Sequence, residues 1–460
     1  MKILFFVLGE INKRLLDGRE ESFKIFLKDN DIVFFGPIPY SSFTFSGKTF
    51  KVIQINQVTP FSDFIEKLPF DWHPDIAVIE TPVLNLIPDI YKISCKTLCY
   101  TRDSWADMIY NRNISEFFDF NHYQTVDKYK YINFKSSCIP LTGNPTCHLE
   151  YDKEVLTFLT RKIDILSIAN SNNGFYHIRS KIFNEIATTL SENFNILFIK
   201  GLPKSGINTY YQKSKIVIDY SYVLSNRAYE AIGNGCLFFS FEDNPLITEV
   251  LEPNRDYVPF NLENIIEKIK YFFNNPEEAQ KIINNGRKKL MLLPKHSGEA
   301  NIKRIGYCIN QNIDINARRS NIENWSESKY YHATATPLYF NYNYPNKNIP
   351  KNWKEIYFQR IEKSILFAKN NEEIFSPLIE AARMAFLLDM KDYAFAYLDK
   401  LIEIFPEYAW TYYLKARIFY SNKEFEFSAE YANKSISVAI ENQDILNKYI
   451  LPFSEKNNTA

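Results

Sequence analysis

Arg227 and Glu230 stand three residues apart in the run SNRAYEAIGNG, a spacing that sends both side chains to one side of a helix. An arginine and a carboxylate so placed suit a ligand that carries both a phosphate and a vicinal diol. The guanidinium forks onto phosphate oxygens, and the carboxylate accepts from two hydroxyls. Ser225 and Asn226 precede the helix and can cap it, while Gly233 and Gly235 supply its exit. A helix N-terminus that follows a strand favours an anion. The plainer alternative is an exposed i,i+3 ion pair, worth roughly a few tenths of a kcal/mol.

The elements that must position this pair are apolar strands at 216–221 and 237–241, buried on both faces as in a parallel sheet covered by helices. Around them, IDILSIAN, HIRSKIFNEIATTL and NILFIKG read as strand, helix and strand. Downstream, VPF, NIIEKIKYFFNN and PEEAQKIINNGRKKLMLL complete a second α/β domain, which we assign to 156–312. Pro276 with Glu277 and Glu278 signals a helix start. The preceding 1–155 has the same rhythm, with strand candidates KILFFVL, DIVFFG, KVIQI, DIAVIE, KTLCYT and FDFNHYQTV. SFKIFLK and FSDFIEKL between them read as helical, so each domain is expected to be a doubly wound, mostly parallel sheet. A turn-rich stretch at 139–152 separates the two as a hinge. Ligands bind such sheets at the carboxyl ends of the strands. Those ends fall at Gly9-Glu10, Glu80-Thr81 and 101–104 in the first domain, and at Lys200-Gly201 in the second.

From 313 to 351 the chain is polar and reads as a linker. Beyond it, 352–460 repeats itself. Ala382-Arg383 returns as Ala416-Arg417, Tyr393 as Phe427, Tyr397 as Tyr431, Lys400 as Lys434 and Ile402 as Ile436. The offset is 416 − 382 = 34, the tetratricopeptide (TPR) period, and Pro406 fits the proline that closes such a repeat. A plain helical hairpin bundle with coincidental pairs is the alternative.

Lys plus Arg equals Asp plus Glu, 54 of each, and this balance argues against a nucleic-acid binder working through a basic field. No stretch reaches the roughly eighteen apolar residues of a membrane span. MKILFFVLGE has no cleavage site after it and reads as a first buried strand rather than a leader. The six cysteines form no CxxC pair and no zinc spacing, so reduced thiols and a cytoplasmic setting are expected. Gly9 opens no GxGxxG, which weakens a dinucleotide-dependent enzyme.

The segment from about 214 to 290 resembles the nucleotide-binding half of the spore-maturation-protein-B-like (CgeB-like) glycosyltransferases, within the GT-B group. The likeness runs through SKIVIDYS, NRAYEAIGNGCLFFSFEDNPLITEVLEPNRDYVPF and NPEEAQKIINNGRKKL, and upstream through NSNNGFYHIRSKIF. It implies two Rossmann-like domains facing across a cleft, with a TPR-like all-α tail added here. It implies transfer of a sugar from a nucleotide-sugar donor to a hydroxyl or amide acceptor.

On the family's pattern Glu230 takes the ribose hydroxyls. Arg227, Asn226 and the helix N-terminus neutralise the diphosphate. Arg179 resembles a second phosphate-side arginine, with Gly174 allowing close backbone approach; a solvated helix-start arginine is its alternative. Lys200 and Gly201 lie where base or phosphate could be contacted. The partner of Glu230 in the paired-glutamate motif of the largest GT-B family falls eight positions earlier, at Tyr222 (230 − 8 = 222), so that motif is incomplete.

LPKHSGEANIKRI resembles the family's returning helix, which crosses back to the first domain. The family's arginine five places after its histidine is replaced by Asn301, with Lys303 and Arg304 nearby. Asp103 is the first candidate for the base that deprotonates the acceptor, with helix capping as its alternative, and Glu10 is the second. His73 and His122 read as structural.

No metal or other cofactor is expected: no DxD sits at a strand end, and arginines and helix dipoles meet the leaving group's charge. The tail would hold a protein or peptide acceptor or a partner enzyme; a glycan is the other acceptor class. A catalytically silent scaffold whose repeats do the work is the rival reading.

Overall fold

A computed structural model describes residues 1–6, 27–36, 40–45, 47–55, 58–80, 86–101, 114, 116–123, 156–169, 177–200, 202, 204–221, 225–242, 244, 247–292, 297–341 and 351–441. Among them, the first sheet is built from β1 (Lys2–Phe6), β2 (Asp31–Gly36), β3 (Ser42–Phe45), β4 (Lys48–Gln54), β5 (Ile76–Glu80), β6 (Lys96–Thr101) and β7 (Phe120–Tyr123), with α1 (Phe61–Glu66) between β4 and β5. Its order is β3-β4-β2-β1-β5-β6-β7. All its pairings are parallel except the β3–β4 hairpin, which was not foreseen.

KILFF shows why these strands are buried on both sides. Leu4 and Phe6 enter one core with Val33, Phe35, Ala77 and Ile79. Ile3 and Phe5 enter the opposite core with Ile32, Phe34, Ile76 and Val78. Period-two alternation with both faces apolar requires helices on both sides.

The second sheet comprises β8 (Ile163–Ile168), β9 (Ile196–Ile199), β10 (Ser214–Asp219), β11 (Leu237–Phe241) and β12 (Val258–Phe260), in the order β12-β11-β10-β8-β9. Its pairings are parallel. Its helices are α2 (His177–Leu190), α3 (Lys204–Lys213), α4 (Asn226–Gly233), α5 (Ile247–Val250), α6 (Ile265–Asn274) and α7 (Pro276–Met291). Ile165, Ile216, Ile218 and Phe239 pack on α2, α6 and α7. Leu166, Val217 and Phe238 pack with Tyr211 of α3 and with Ala228, Tyr229 and Ile232 of α4. The strand order reverses between β8 and β10. That reversal places a crevice at their carboxyl ends, where doubly wound sheets bind ligands.

Helix α8 (Ser297–Asn310) crosses back to the first sheet: Ile305 and Cys308 are buried in the core under Ile3, Phe5 and Leu98. The Lys96 ammonium, from β6, donates to the carbonyls of Ile309 and Gln311 and so closes the end of α8. The region read as a polar linker instead carries α9 (Ile315–Glu323) and α10 (Glu327–Asn341). Its polar side chains misled, because they pair inside the protein. Ser328 Oγ donates to the Ser364 carbonyl at 2.7 Å, and buried His332 Nε2 lies 3.0 Å from Glu380 Oε2. Ala333, Ala335 and Leu338 join the core on the Leu4–Phe6 face of the first sheet.

Helices α11 (Trp353–Phe367), α12 (Asn371–Leu387), α13 (Lys391–Ile404), α14 (Ala409–Ser421) and α15 (Phe425–Glu441) follow. The second helices of the last two hairpins, α13 and α15, begin 425 − 391 = 34 residues apart. Among the described residues no helix is long and apolar enough to cross a membrane.

Candidate functional site

The carboxyl end of β10 is where charge gathers. Ile216, Val217 and Ile218 are fully buried, and the strand then ends on a buried carboxylate, Asp219. A lone charge there would be costly, so it must be paired and hydrogen-bonded. Both of its oxygens are used. Oδ1 accepts from Arg227 Nε at 2.8 Å, and Oδ2 accepts from Ser225 Oγ at 2.6 Å. The Asp219 side chain is 2 % exposed and that of Arg227 28 %. Arg227 therefore pairs inward with Asp219, and the surface i,i+3 pair with Glu230 is not what forms. Burial opposes the Arg227 charge, but Asp219, with help from Tyr211 and Glu230, raises the guanidinium's pKa above its ordinary value.

Ser225 occupies the N-cap position of α4 without a side-chain cap bond, its hydroxyl being spent on Asp219. The other end of α4 closes as a Schellman turn. Cys236 N–H donates to the Ala231 carbonyl and Gly235 N–H to that of Ile232, with Gly235 left-handed at φ 77°. Asn234 Nδ2 adds a bond to the Glu230 carbonyl at 2.8 Å. These bonds fix the one helix that carries both Arg227 and Glu230. Glu230 is half-buried. Below it the Tyr211 hydroxyl is buried without a hydrogen-bond partner among the described residues. Burial first, then the Glu230 charge, push that phenol well above its ordinary range, so it stays protonated.

Arg179 comes from the first turn of α2, on the other side of the strand-order reversal. It is buried, not solvated. Its Nε and Nη2 donate to the Tyr220 carbonyl at 3.2 and 2.7 Å, which ties α2 to the residue after β10. The fold thus brings Arg179, Asp219, Arg227 and Glu230 to the ends of two neighbouring strands. Lys200 follows β9, one strand further out, and is exposed. Asn226 begins α4. Gly174, Gly201 and Tyr222 lie outside the described residues, as do Asp103 and Glu10 on the first domain. His73 is exposed, and His122 sits in the edge strand β7. In α8, Lys303 is exposed and Arg304 buried.

Sequence reasoning missed Asp219, Tyr211 and the stapling role of Arg161. Arg161 is buried and donates to the carbonyls of Leu156, Tyr211, Ser214 and Asn234, so it binds α3, β10 and the end of α4 together from behind. The signal for Asp219 was present: a carboxylate that ends the apolar run Ile216–Ile218 needs a partner, and an arginine follows eight residues later. Among the described residues no group of three or more His, Cys, Asp or Glu gathers to hold a metal ion.

Comparison with curated proteins finds no match. Among solved structures, an alpha-glucosyltransferase in complex with UDP-glucose and DNA containing an abasic site is similar at 12 % identity and TM-score 0.43, over 68 % of this chain and 100 % of that one. A glycosyltransferase from Rickettsia africae ESF-5 is similar at 13 % identity and TM-score 0.44, over 68 % and 99 %. WaaG, a glycosyltransferase involved in lipopolysaccharide biosynthesis, is similar at 10 % identity and TM-score 0.41, over 67 % and 100 %. A family model described as glycosyl transferase-like matches residues 168–305. That span runs from the end of β8 into α8 and contains Arg179, Asp219, Arg227 and Glu230; the enzyme class it indicates is glycosyltransferase.

Proposed function

We propose that the protein transfers a sugar from a nucleotide-sugar donor to a hydroxyl or amide acceptor, in a GT-B arrangement and without a metal ion. The observation that carries the reading is the joint presence of Arg227 and half-buried Glu230 on α4, at the strand-order reversal of the matched segment. Glu230 accepts from the two ribose hydroxyls. Arg227, with the N-terminus of α4, takes the diphosphate and stabilises the leaving group's charge. Buried Arg179 adds positive charge nearby while bracing the end of β10. Asp103 and Glu10, after β6 and β1, remain the candidates for the base that deprotonates the acceptor. The 34-residue spacing of the last hairpins supports a TPR-like reading, with the tail holding a protein or peptide acceptor or a partner enzyme; a glycan is the other acceptor class.

The test is a nucleotide-sugar binding screen comparing wild type with Glu230→Ala. Loss of the ribose contacts should cost about 1–3 kcal/mol, or roughly five- to 150-fold in affinity. Unchanged affinity would remove Glu230 from the site. Transfer measured with and without EDTA should proceed at the same rate; abolition by EDTA would refute metal independence.

A further inference from the structure

We infer that Asp219 is a positioning residue for the donor diphosphate: it holds Arg227 by Nε alone and presents the two terminal nitrogens of the guanidinium to the ligand. The inference deepens the proposed function and rests on it. Arg227 Nε donates to Asp219 Oδ1, whereas Nη1 and Nη2 have no hydrogen-bond partner among the described residues. A guanidinium has five N–H groups in a rigid fork, and anchoring it at Nε leaves the four that suit two phosphate oxygens. The side chain is 28 % exposed, so that outer edge is reachable, while the anchor is 2 % exposed and out of solvent.

A free arginine loses rotamer entropy when it grips a ligand. One already fixed by a buried carboxylate has met that cost on folding, which favours binding. Asp219 does a second thing in the same place. By accepting from Ser225 Oγ it takes the N-cap hydroxyl away from the first turn of α4. The Ala228 N–H donates to the Ser225 carbonyl, and those of Asn226 and Arg227 are not taken up by the cap side chain and can face an anion. Its negative charge offsets part of the attraction that Arg227 offers a phosphate. The arrangement therefore favours placement over raw field strength.

A double-mutant cycle tests this. Wild type, Asp219→Ala, Arg227→Ala and the double variant are titrated calorimetrically with UDP, GDP, ADP and dTDP, and with the nucleoside that matches the best binder. Asp219→Ala should weaken diphosphate binding about tenfold and leave nucleoside binding unchanged. Once Arg227 is alanine, removing Asp219 should change nothing further. Asp219→Asn, which keeps an acceptor for Nε, should restore most of the lost affinity.

If wild type binds none of the diphosphates, the proposed function falls and this inference with it. If wild type binds but Asp219→Ala costs the same factor with and without Arg227, Asp219 does not act through Arg227 and only the inference falls. It falls likewise if Asp219→Ala leaves diphosphate affinity unchanged, binds more tightly or weakens the nucleoside equally, or if Asp219→Asn is as weak as alanine. Should Asp219→Ala not fold, the cycle is run with Asp219→Ser, which keeps a hydroxyl for Ser225 but cannot reach Nε.

Discussion

Cys95 and Cys236 illustrate how burial alone disables a reactive group. Each thiol lies in a core, and desolvation pushes its pKa from 9.0 up to about 12, although an arginine close to each, Arg318 and Arg161 respectively, pulls the other way. Unfolded, these thiols lose their protons near 9; folded, near 12. Between those values the folded form binds more protons, so their contribution to stability is full below about pH 9 and is lost as pH rises toward 12. Each thiol steepens that loss by at most about 1.4 kcal/mol per pH unit. Alkylation at pH 8 followed by peptide mapping should find Cys95 and Cys236 unmodified in the folded protein and modified in denaturant. At the same scale, Arg227 and Glu230 were singled out by their spacing together with the family resemblance of the run around them. Asp219 was overlooked although its signal was there, because its role rests on the pair it forms with Arg227, eight residues further along the chain.

Helix α7 packs on α4 at close range, and Gly286 is what allows it. A Cβ there would stand 2.4 Å from the Asp256 carbonyl oxygen and 3.1 Å from Ile232 Cγ2. A backbone oxygen cannot swing aside as a side chain can, so Gly286→Ala must push α7 away from the turn that carries Asp256 and crowd Ile232 of α4. The expected cost is about 1–3 kcal/mol of stability, measured by denaturant unfolding. Elements with one strong pattern were readable. Most strands of the two sheets carry apolar runs closed by turn residues, β3 being an exception, and α7 announces itself with Pro276 and two glutamates. Elements whose buried residues are polar were not, which is why α9 and α10 read as a linker. His332 and Ser328 look solvated until Glu380 and Ser364, some forty residues away, are brought against them.

The helical region after α8 is fastened to the first sheet by a buried arginine. Arg318 of α9 donates to the carbonyls of Tyr91, Ile93 and Cys95, to Thr97 Oγ1 and to Asp119, with both charged side chains almost solvent-free at 2 % and 5 % exposed. Removing one partner of such a pair strands the other. Arg318→Ala should cost about 3–5 kcal/mol and lower the unfolding temperature of the first sheet and the helices together. Independent melting of the helices would contradict this. Sequence alone suggested a tail on a tether because composition reports polarity along the chain, not which distant surface a helix must cover.

The cover on the two faces of the first sheet is completed by segments that lie far along the chain: on one by Ile305 and Cys308, on the other by residues from Ile322 to Met384. Among the described residues, the core of the second sheet, by contrast, draws on 158–290 alone. A ribosome delivers the chain from its amino end, so the order of emergence is not the order of completion. The middle of the protein can mature while the first strands still wait, their apolar sides only partly covered, for residues 305–384 to appear. During that interval those strands are the part of the nascent chain most in need of a chaperone.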